Sequence, residues 1–285
     1  MNILITGSDG FIGNSIVKEY QKNNHTVFQL SRKHDGENII KGDICTTTYF
    51  DNIPDIELII HCAAYTDTRQ ISADQQKFFN TNCLGTANIL NLTKEKQADL
   101  IYVSSCDVYG IPEYLPIDEN HICNPITTYA ASKSAAEQMC IGFCQQNKLK
   151  LKIVRPFNTF GPKSPEYRVI PTIIRQLKHN ESIKIANTTS KRDFIFVDDV
   201  ANAIYYISKS KNDSKIFNIG TGRTLSILEV IKMLEKILNK KVPIESPERL
   251  GPIPELQADI SKLKEIGWTS RYNFETGLKE ILNAN

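Results

Sequence analysis

The sequence has almost no net charge and no long apolar run. Its 285 residues carry 34 Lys and Arg against 32 Asp and Glu, a formal balance of +2. So small a balance offers no broad basic surface for nucleic acid or anionic membranes. No apolar stretch approaches the ~18 residues of a membrane-spanning helix, and MNILITG at the start has no signal-peptide pattern. We therefore expect a cytoplasmic protein without nucleic-acid or membrane partners.

The cysteines lack the spacing that metal sites and disulfide-rich scaffolds show. They stand at 45, 62, 83, 106, 123, 140 and 144, without a CxxC pair and without a histidine at zinc-ligand spacing. Cys140 and Cys144 share one face of a predicted helix, where helix packing explains two thiols better than a metal does. We predict reduced thiols and no bound metal.

Short β-branched segments alternate with longer helical segments through the first half of the chain. Strands are predicted at 2–6, 26–30, 56–63, 99–105 and 150–155, and helices near 11–23, 76–97 and 128–147. Runs such as 58–60 (LII) are apolar on both faces and fit strands covered by helices on each side. The pattern predicts an α/β fold with a doubly wound parallel sheet of the Rossmann type.

Proline-rich segments mark a change in the second half. GPKSPEYRVIP (161–171) and PIESPERLGPIPEL (243–256) accompany further helices, one of which opens with a capping box at Ser226 and Glu229. No low-complexity linker separates the two halves. We predict a dinucleotide-binding domain over 1–160, to which 192–222 return, and a smaller α/β substrate-binding lobe formed by 161–191 and 223–285.

Three glycines lie between the first predicted strand and the first predicted helix. Gly7, Gly10 and Gly13 allow a tight turn and a close approach to a pyrophosphate, while the helix N-terminus supplies free N–H donors. Phe11 and Ile12 lie in the first turn of that helix. The loop predicts a dinucleotide site.

The end of the second strand indicates which dinucleotide is bound. NAD sites usually present a carboxylate there to the ribose 2′-hydroxyl, whereas NADP sites offer a guanidinium to the 2′-phosphate. Here Ser31 takes the place of the acid, and Arg32 and Lys33 follow at once. Basic residues are also common on surfaces after strands. The pattern favours NADP(H), with NAD(H) as the alternative, and places Asp43 and Ile44 against the adenine.

A tyrosine and a lysine stand four residues apart at the start of the third predicted helix. Tyr129 and Lys133 therefore project from one face. A phenol with a pKa near ~10 is a poor acid or base at neutral pH, and an ammonium group beside it favours the phenolate. Ser105, at the end of the preceding strand, can hold a substrate oxygen near Tyr129. The spacing alone is common, but with the glycine loop it predicts an acid–base site.

Several motifs in order resemble one family, the extended short-chain dehydrogenase/reductases of the NAD(P)-dependent nucleotide-sugar epimerase/dehydratase type. They cover nearly the whole chain: TGSDGFIG (6–13), HCAA (61–64), NTNCLGTANIL (80–90), VSSCDVYG (103–110), YAASK (129–133), RPFNTFGP (155–162), VIP (169–171), RDFIFVDDV (192–200), FNIGTG (217–222) and ADISKLKEIGW (258–268). The resemblance implies a catalytic triad of Ser105, Tyr129 and Lys133, with Lys133 also holding the nicotinamide ribose.

The resemblance also implies further binding residues and partners. On the cofactor side these are Ala63, Ala64, Asn82 and Pro156. The substrate is expected to be a nucleotide-diphosphate sugar. The residues predicted to contact it are Cys106, Asp107, Asn158, Arg168, Val169, Arg192 and Glu255. Members of the family form homodimers, so a homodimer is expected here.

The residues after Ser105 bear on the reaction. Relatives that remove water usually carry an Asp–Glu pair there, whereas this chain has Cys106 and Asp107, a weaker acid and a shorter carboxylate. The SSC sequence resembles the epimerase-reductases that make GDP-fucose, but Arg168 replaces their histidine. The sequence therefore favours an NADPH-dependent 4-keto-6-deoxyhexose reductase, with an NAD-dependent nucleotide-sugar 4-epimerase as the alternative. A non-catalytic cofactor sensor is disfavoured because the triad is complete.

Overall fold

A parallel sheet forms the centre of the molecule. The computed structural model describes residues 1–67, 75–213, 215–247 and 253–284. In these residues the strands are β1 (Asn2–Thr6), β2 (Thr26–Ser31), β3 (Ile39–Lys41), β4 (Leu58–His61), β5 (Asp99–Val103), β6 (Leu151–Pro156), β7 (Asn158–Phe160), β8 (Ile183–Lys184), β9 (Lys191–Arg192), β10 (Phe194–Phe196), β11 (Ile216–Ile219), β12 (Leu225–Ser226), β13 (Ile244–Glu245) and β14 (Glu255–Leu256). Seven of these described strands join in the order β11-β6-β5-β4-β1-β2-β3.

Helices cover both faces of this sheet, and the predicted α/β Rossmann-type fold is confirmed. Over the described residues they are α1 (Phe11–Lys22), α2 (Gln75–Phe79), α3 (Gly85–Lys96), α4 (Thr128–Asn147), α5 (Val169–Lys178), α6 (Val197–Lys209), α7 (Ile227–Leu238), α8 (Ser261–Glu265) and α9 (Phe274–Asn283). The helix predicted at 76–97 is interrupted by a π-helical segment, Asn80–Leu84. Within the described ranges, none of the helices has the length and apolarity needed to cross a membrane.

Alternate residues of the strands face two separate apolar layers. Ile3 and Ile5 of β1 pack with α1 and α6. Leu4 lies in the opposite layer, with Ile89 of α3 and Cys140 of α4. Because both faces are buried, the consecutive residues Ile3, Leu4 and Ile5 are all apolar. The burial of Cys140 agrees with the packing interpretation of this thiol.

The carboxyl ends of the central strands meet at one edge. Thr6 pairs in register with Leu30 and His61, and Val103 pairs with Val154. The strands predicted at 56–63 and 99–105 end earlier, at His61 and Val103, because the chain then leaves the sheet. This edge of a doubly wound sheet is where ligands bind.

His61 joins three segments beneath that edge. Thr86 Oγ1 donates its proton to the Asn82 carbonyl at 2.6 Å, so it accepts a hydrogen bond from His61 Nε2 at 3.0 Å. Thr6 Oγ1 then donates to His61 Nδ1 at 2.7 Å. Burial, and secondly the charge of Lys133, lower the pKa of His61 to about 3. The ring is therefore neutral at physiological pH.

A smaller group of elements forms its own apolar core. Strand β7 pairs with β10, β9 lies between β12 and β14, and β8 pairs with β13. Their core includes Ile173 of α5, Val230 of α7 and Leu278 of α9. The predicted capping box of α7 is confirmed, since Ser226 Oγ accepts from Glu229 N at 3.2 Å and the Glu229 carboxylate accepts from Ser226 N at 2.7 Å.

Candidate active site

The glycine loop packs closely against the segment that follows β4. Gly7 has φ +69°, and a Cβ there would lie 2.7 Å from the backbone of Ala63. A Cβ on Gly13 would lie 2.1 Å from the Gly7 carbonyl oxygen. A Cβ on Gly10 would meet only that same oxygen, at 3.0 Å. The loop therefore has no room for a side chain at Gly7 and Gly13, whereas its outer side, at Gly10, is open.

The N-terminus of α1 has the features of an anion-binding site. Its N-cap residue, Gly10, is extended and offers no side-chain hydrogen bond, and the first turn contains no acidic residue. The first N–H groups of a helix lack partners within the helix and carry a partial positive charge. Together with the open side of Gly10, these donors fit a pyrophosphate.

A cavity of about 390 Å³ extends from this loop along the ends of β2 and β4. Most of the predicted cofactor residues line it: Gly7, Gly10, Phe11, Ile12, Gly13, Arg32, Asp43, Ile44, Ala63 and Ala64. Ser31, Asn82, Lys133 and Pro156 lie outside the described wall of this cavity. The wall also contains residues that were not predicted, Asp9, Thr66, Thr81 and Pro165, together with Arg168.

Asn82 supports the site from behind the wall. Its side chain accepts from Tyr65 N at 2.8 Å, and donates to Tyr65 O at 3.1 Å and to Ser132 Oγ at 2.8 Å. Ser132 Oγ in turn donates to Tyr129 O at 2.7 Å. Asn82 thus fixes the loop after β4 against the helix turn that carries Tyr129.

Lys133 is buried and directed to the sheet. Its Nζ donates to Val103 O at 2.6 Å and lies 4.2 Å from the centre of the Tyr102 ring. Burial lowers the pKa of Lys133 to about 8. The sequence analysis expected this ammonium to act on the phenol of Tyr129, whereas the structure places it on a carbonyl at the end of β5.

Ser105 and Tyr129 meet at the ends of β5 and the start of α4. Thr127 caps α4 by accepting from Ala130 N at 3.1 Å, and Tyr129 lies in the first turn. Ser105 Oγ accepts from Asp107 N at 3.2 Å. Burial, and next the charge of Asp107, raise the pKa of Tyr129, while Arg168 and a hydrogen bond with Ser105 lower it. The phenol is therefore a neutral acid whose pKa responds to two opposed charges.

Tyr129 opens into a second cavity, of about 260 Å³. The predicted substrate residues Asp107, Asn158, Arg168 and Val169 line it. Thr66, Thr159, Phe160, Ser164, Tyr167, Ile170, Pro171 and Phe194 complete the described wall. Thr66 and Arg168 also line the first cavity, so the two spaces adjoin at these side chains.

Three predicted substrate residues are not part of the described lining of this cavity. Cys106 is buried in an apolar cluster, and burial raises its pKa well above the ordinary value. The guanidinium of Arg192 donates to Ile253 O at 3.0 Å and to Lys191 O at 2.7 Å, while its charge partly offsets the rise in the pKa of Asp107 that burial causes. Glu255 accepts from Thr224 Oγ1 at 2.7 Å. In the described structure their polar groups are therefore not presented to the cavity.

Asp193 was missed by the sequence analysis. Its buried carboxylate accepts from Thr221 N at 2.8 Å, Thr221 Oγ1 at 2.6 Å, Gly222 N at 2.8 Å and Ala258 N at 3.2 Å. It therefore joins the RDF, FNIGTG and ADIS segments beside the second cavity. The signal in the sequence was an acid within the RDF motif, next to Arg192, which was predicted to contact the substrate.

The glycine loop, the Tyr129 cavity and the parallel sheet agree with a family comparison. The family model described as NAD dependent epimerase/dehydratase family matches residues 3–220. The chain belongs to this family. The predictions of family and of an enzyme are thereby confirmed.

Individual members of the epimerase/dehydratase family match along nearly the full chain. A protein of Methanocaldococcus jannaschii, provisionally named a UDP-glucose 4-epimerase, is 30% identical over 99% of this chain and 97% of its own length. The structure of a UDP-glucose 4-epimerase from Thermotoga maritima with UDP-glucose is 26% identical, with a TM-score of 0.91 over 100% of this chain and 98% of that one. MoeE5 in complex with UDP-glucose and NAD is 25% identical, with a TM-score of 0.90 over the same shares.

Proposed function

We propose that the chain is an NAD-dependent nucleotide-sugar 4-epimerase acting on a UDP-hexose. This was the alternative given by the sequence. The named relatives support it better than the NADPH-dependent 4-ketosugar reductase that the sequence favoured, since two are named 4-epimerases and one binds NAD with UDP-glucose. The homodimer stays a prediction.

The observation that carries this proposal is the make-up of the cavity around Tyr129. Its described wall contributes one carboxyl group, Asp107, and neither a lysine nor a histidine. Elimination of water needs a further acid and base beside the tyrosine. Oxidation and reduction at one carbon need only a single group that takes and returns the hydroxyl proton.

Tyr129 is placed to move that proton. As a phenolate it accepts the proton of the sugar 4-hydroxyl, and as a phenol it returns the proton to the ketone oxygen. Ser105 holds the same oxygen by a hydrogen bond, which partly offsets the rise in the pKa of Tyr129 that burial causes. Bound NAD would supply the acceptor and donor of the C4 hydride. The loop of Gly7, Gly10 and Gly13 would hold its pyrophosphate.

The diphosphate of the sugar nucleotide requires cationic groups in or beside the cavity. Arg168 lies in the wall at the N-terminus of α5, and its Nε is buried without a hydrogen-bond partner in the described structure. A guanidinium suits phosphate oxygens. We assign Arg168 to this role.

The test is turnover without added cofactor. Purified protein is incubated with UDP-glucose, UDP-N-acetylglucosamine and UDP-glucuronic acid, and products are resolved by proton NMR. We expect one of these sugars to equilibrate with its C4 epimer. A parallel assay follows NADPH oxidation with nucleotide 4-keto-6-deoxyhexoses. Stoichiometric NADPH consumption with no epimer in the first assay would overturn the proposal in favour of the reductase.

A further inference from the structure

The first cavity contains, at the end of β2, a carboxylate that does not belong to β2 itself. Asp9 lies in the glycine loop, outside β2, yet it lines the cavity together with Arg32 and Lys33. Ser31, the last residue of β2, donates a hydrogen bond to Asp9 Oδ2 at 2.6 Å. An acid is thus present at the end of β2, although it comes from 22 residues earlier in the chain.

The direction of that hydrogen bond is fixed. A serine hydroxyl has one proton and two acceptor lone pairs. Ser31 Oγ accepts from Lys33 N at 3.1 Å and from His34 N at 3.0 Å, so its lone pairs are both engaged. Its proton therefore points to Asp9. Because Ser31 is only 1% exposed, solvent does not compete for this arrangement.

This contact leaves one oxygen of Asp9 available. Oδ2 is held by Ser31, and Oδ1 has no hydrogen-bond partner among the residues that the structure describes. The carboxylate is exposed toward the cavity. In dinucleotide-binding folds a carboxylate at this end of the second strand accepts a hydrogen bond from the ribose 2′-hydroxyl.

The basic residues near Asp9 are poorly placed to bind the 2′-phosphate of NADP(H). The Arg32 side chain is 73% exposed, and its Nη1 lies 4.0 Å from Asp43 Oδ2. An NADP 2′-phosphate would meet the fixed negative charge of Asp9 as well as any attraction to Arg32. Like charges at such short range repel.

We propose that Asp9, held by Ser31, selects NAD(H) over NADP(H) by accepting the adenosine ribose 2′-hydroxyl and repelling a 2′-phosphate. The inference rests on the dinucleotide of the family and not on the epimerase reaction. It reverses the cofactor preference that Ser31, Arg32 and Lys33 gave from the sequence alone.

The test measures cofactor binding without substrate or turnover. After removal of copurified dinucleotide, the affinities of NADH and NADPH are measured by fluorescence titration. We expect NADH to bind at least about tenfold tighter than NADPH. Asp9→Asn should reduce this ratio about tenfold, and Ser31→Ala should reduce it by less. Asp35→Asn removes the same charge from an exposed residue outside the described cavity wall and should leave the ratio unchanged.

A second ligand isolates the hydroxyl contact. NADH lacking the adenosine 2′-hydroxyl should bind several-fold more weakly than NADH to the wild type, but as tightly as NADH to Asp9→Ala, which has no acceptor at this position. Thermal melting checks that each variant is folded. Wild-type protein that prefers NADPH, or a ratio that Asp9→Asn leaves unchanged, would overturn the inference. Either outcome leaves the epimerisation assay unaffected, so the two proposals fail separately.

Discussion

The first cavity, beside the glycine loop, and the second cavity, around Tyr129, are built in different ways. The first depends on backbone, since its loop requires glycine at 7 and 13 and its anion site is made of helix N–H groups. The second depends on side chains from separate segments, with Asp107 after β5, Tyr129 on α4, Asn158 on β7 and Arg168 before α5. Changes in the first should therefore affect binding of the dinucleotide, and changes in the second should affect the chemistry.

The largest expected effect separates chemistry from cofactor binding. Tyr129→Phe removes the proton-transfer hydroxyl and should reduce kcat by about 10²- to 10⁴-fold, the usual contribution of a general acid or base. NADH affinity should be unchanged, as measured by fluorescence titration. Tyr206→Phe, on the exposed side of α6, is the matched control and should keep full activity. Unchanged turnover in Tyr129→Phe would refute its role.

A substitution in the glycine loop should weaken dinucleotide binding. Gly13→Ala places a Cβ 2.1 Å from the Gly7 carbonyl oxygen, so the loop or the start of α1 must shift. A displacement near 1 Å at a binding site can cost about 100-fold, and we expect dinucleotide affinity to fall by at least that factor. Calorimetric titration measures it.

Gly142→Ala is the control for the glycine substitution. Gly142 lies inside α4, and a Cβ there would have no neighbour within 4 Å. Alanine should stabilise that helix by about 0.5–1 kcal/mol and leave cofactor binding intact. Equal losses of affinity in the two variants would contradict the close packing of the loop.

The pH dependence of stability tests whether His61, which lies next to the first cavity, is neutral in the folded protein. The folded pKa of His61 is about 3, below its ordinary value of 6.5. The unfolded chain therefore binds the extra proton first, so stability is full above pH 6.5 and is lost as the pH falls toward 3. Between pH 7 and 5 this loss amounts to about 2 kcal/mol.

His61→Gln can keep both threonine contacts but does not titrate. Urea unfolding at pH 7 and pH 5 should show the wild type losing about 2 kcal/mol relative to this variant. Parallel changes in the two proteins would show that His61 is not held neutral.

The smallest effects concern the two charges around Tyr129. Asp107 raises the pKa of Tyr129 and Arg168 lowers it. The limb of the kcat/KM profile that reports phenol ionisation should therefore move to lower pH in Asp107→Asn and to higher pH in Arg168→Gln, each by less than about one pH unit. Shifts in the same direction would contradict the opposed influence of the two side chains.

The difference between the two cavities also explains which features could be predicted from the sequence. Periodicity located the main strands, and the glycine spacing located the tight loop before α1, because both depend on local backbone geometry. The strand β3 is three residues long and partly exposed, so it gave no comparable pattern. The contact of Ser31 with Asp9 joins segments that are far apart in sequence, and only the folded register brings them together. The absence of Cys106, Arg192 and Glu255 from the described lining of the second cavity also depends on contacts between distant segments.

The central claim is that C4 of the sugar loses a hydride and regains the same hydride, while Tyr129 takes and returns the hydroxyl proton. UDP-glucose carrying deuterium at C4 tests it directly in ordinary water, with product analysed by NMR and mass spectrometry. We predict UDP-galactose that retains the deuterium at C4. Loss of the label to water, or its transfer to C6 of a 4-keto-6-deoxy product, would contradict the account.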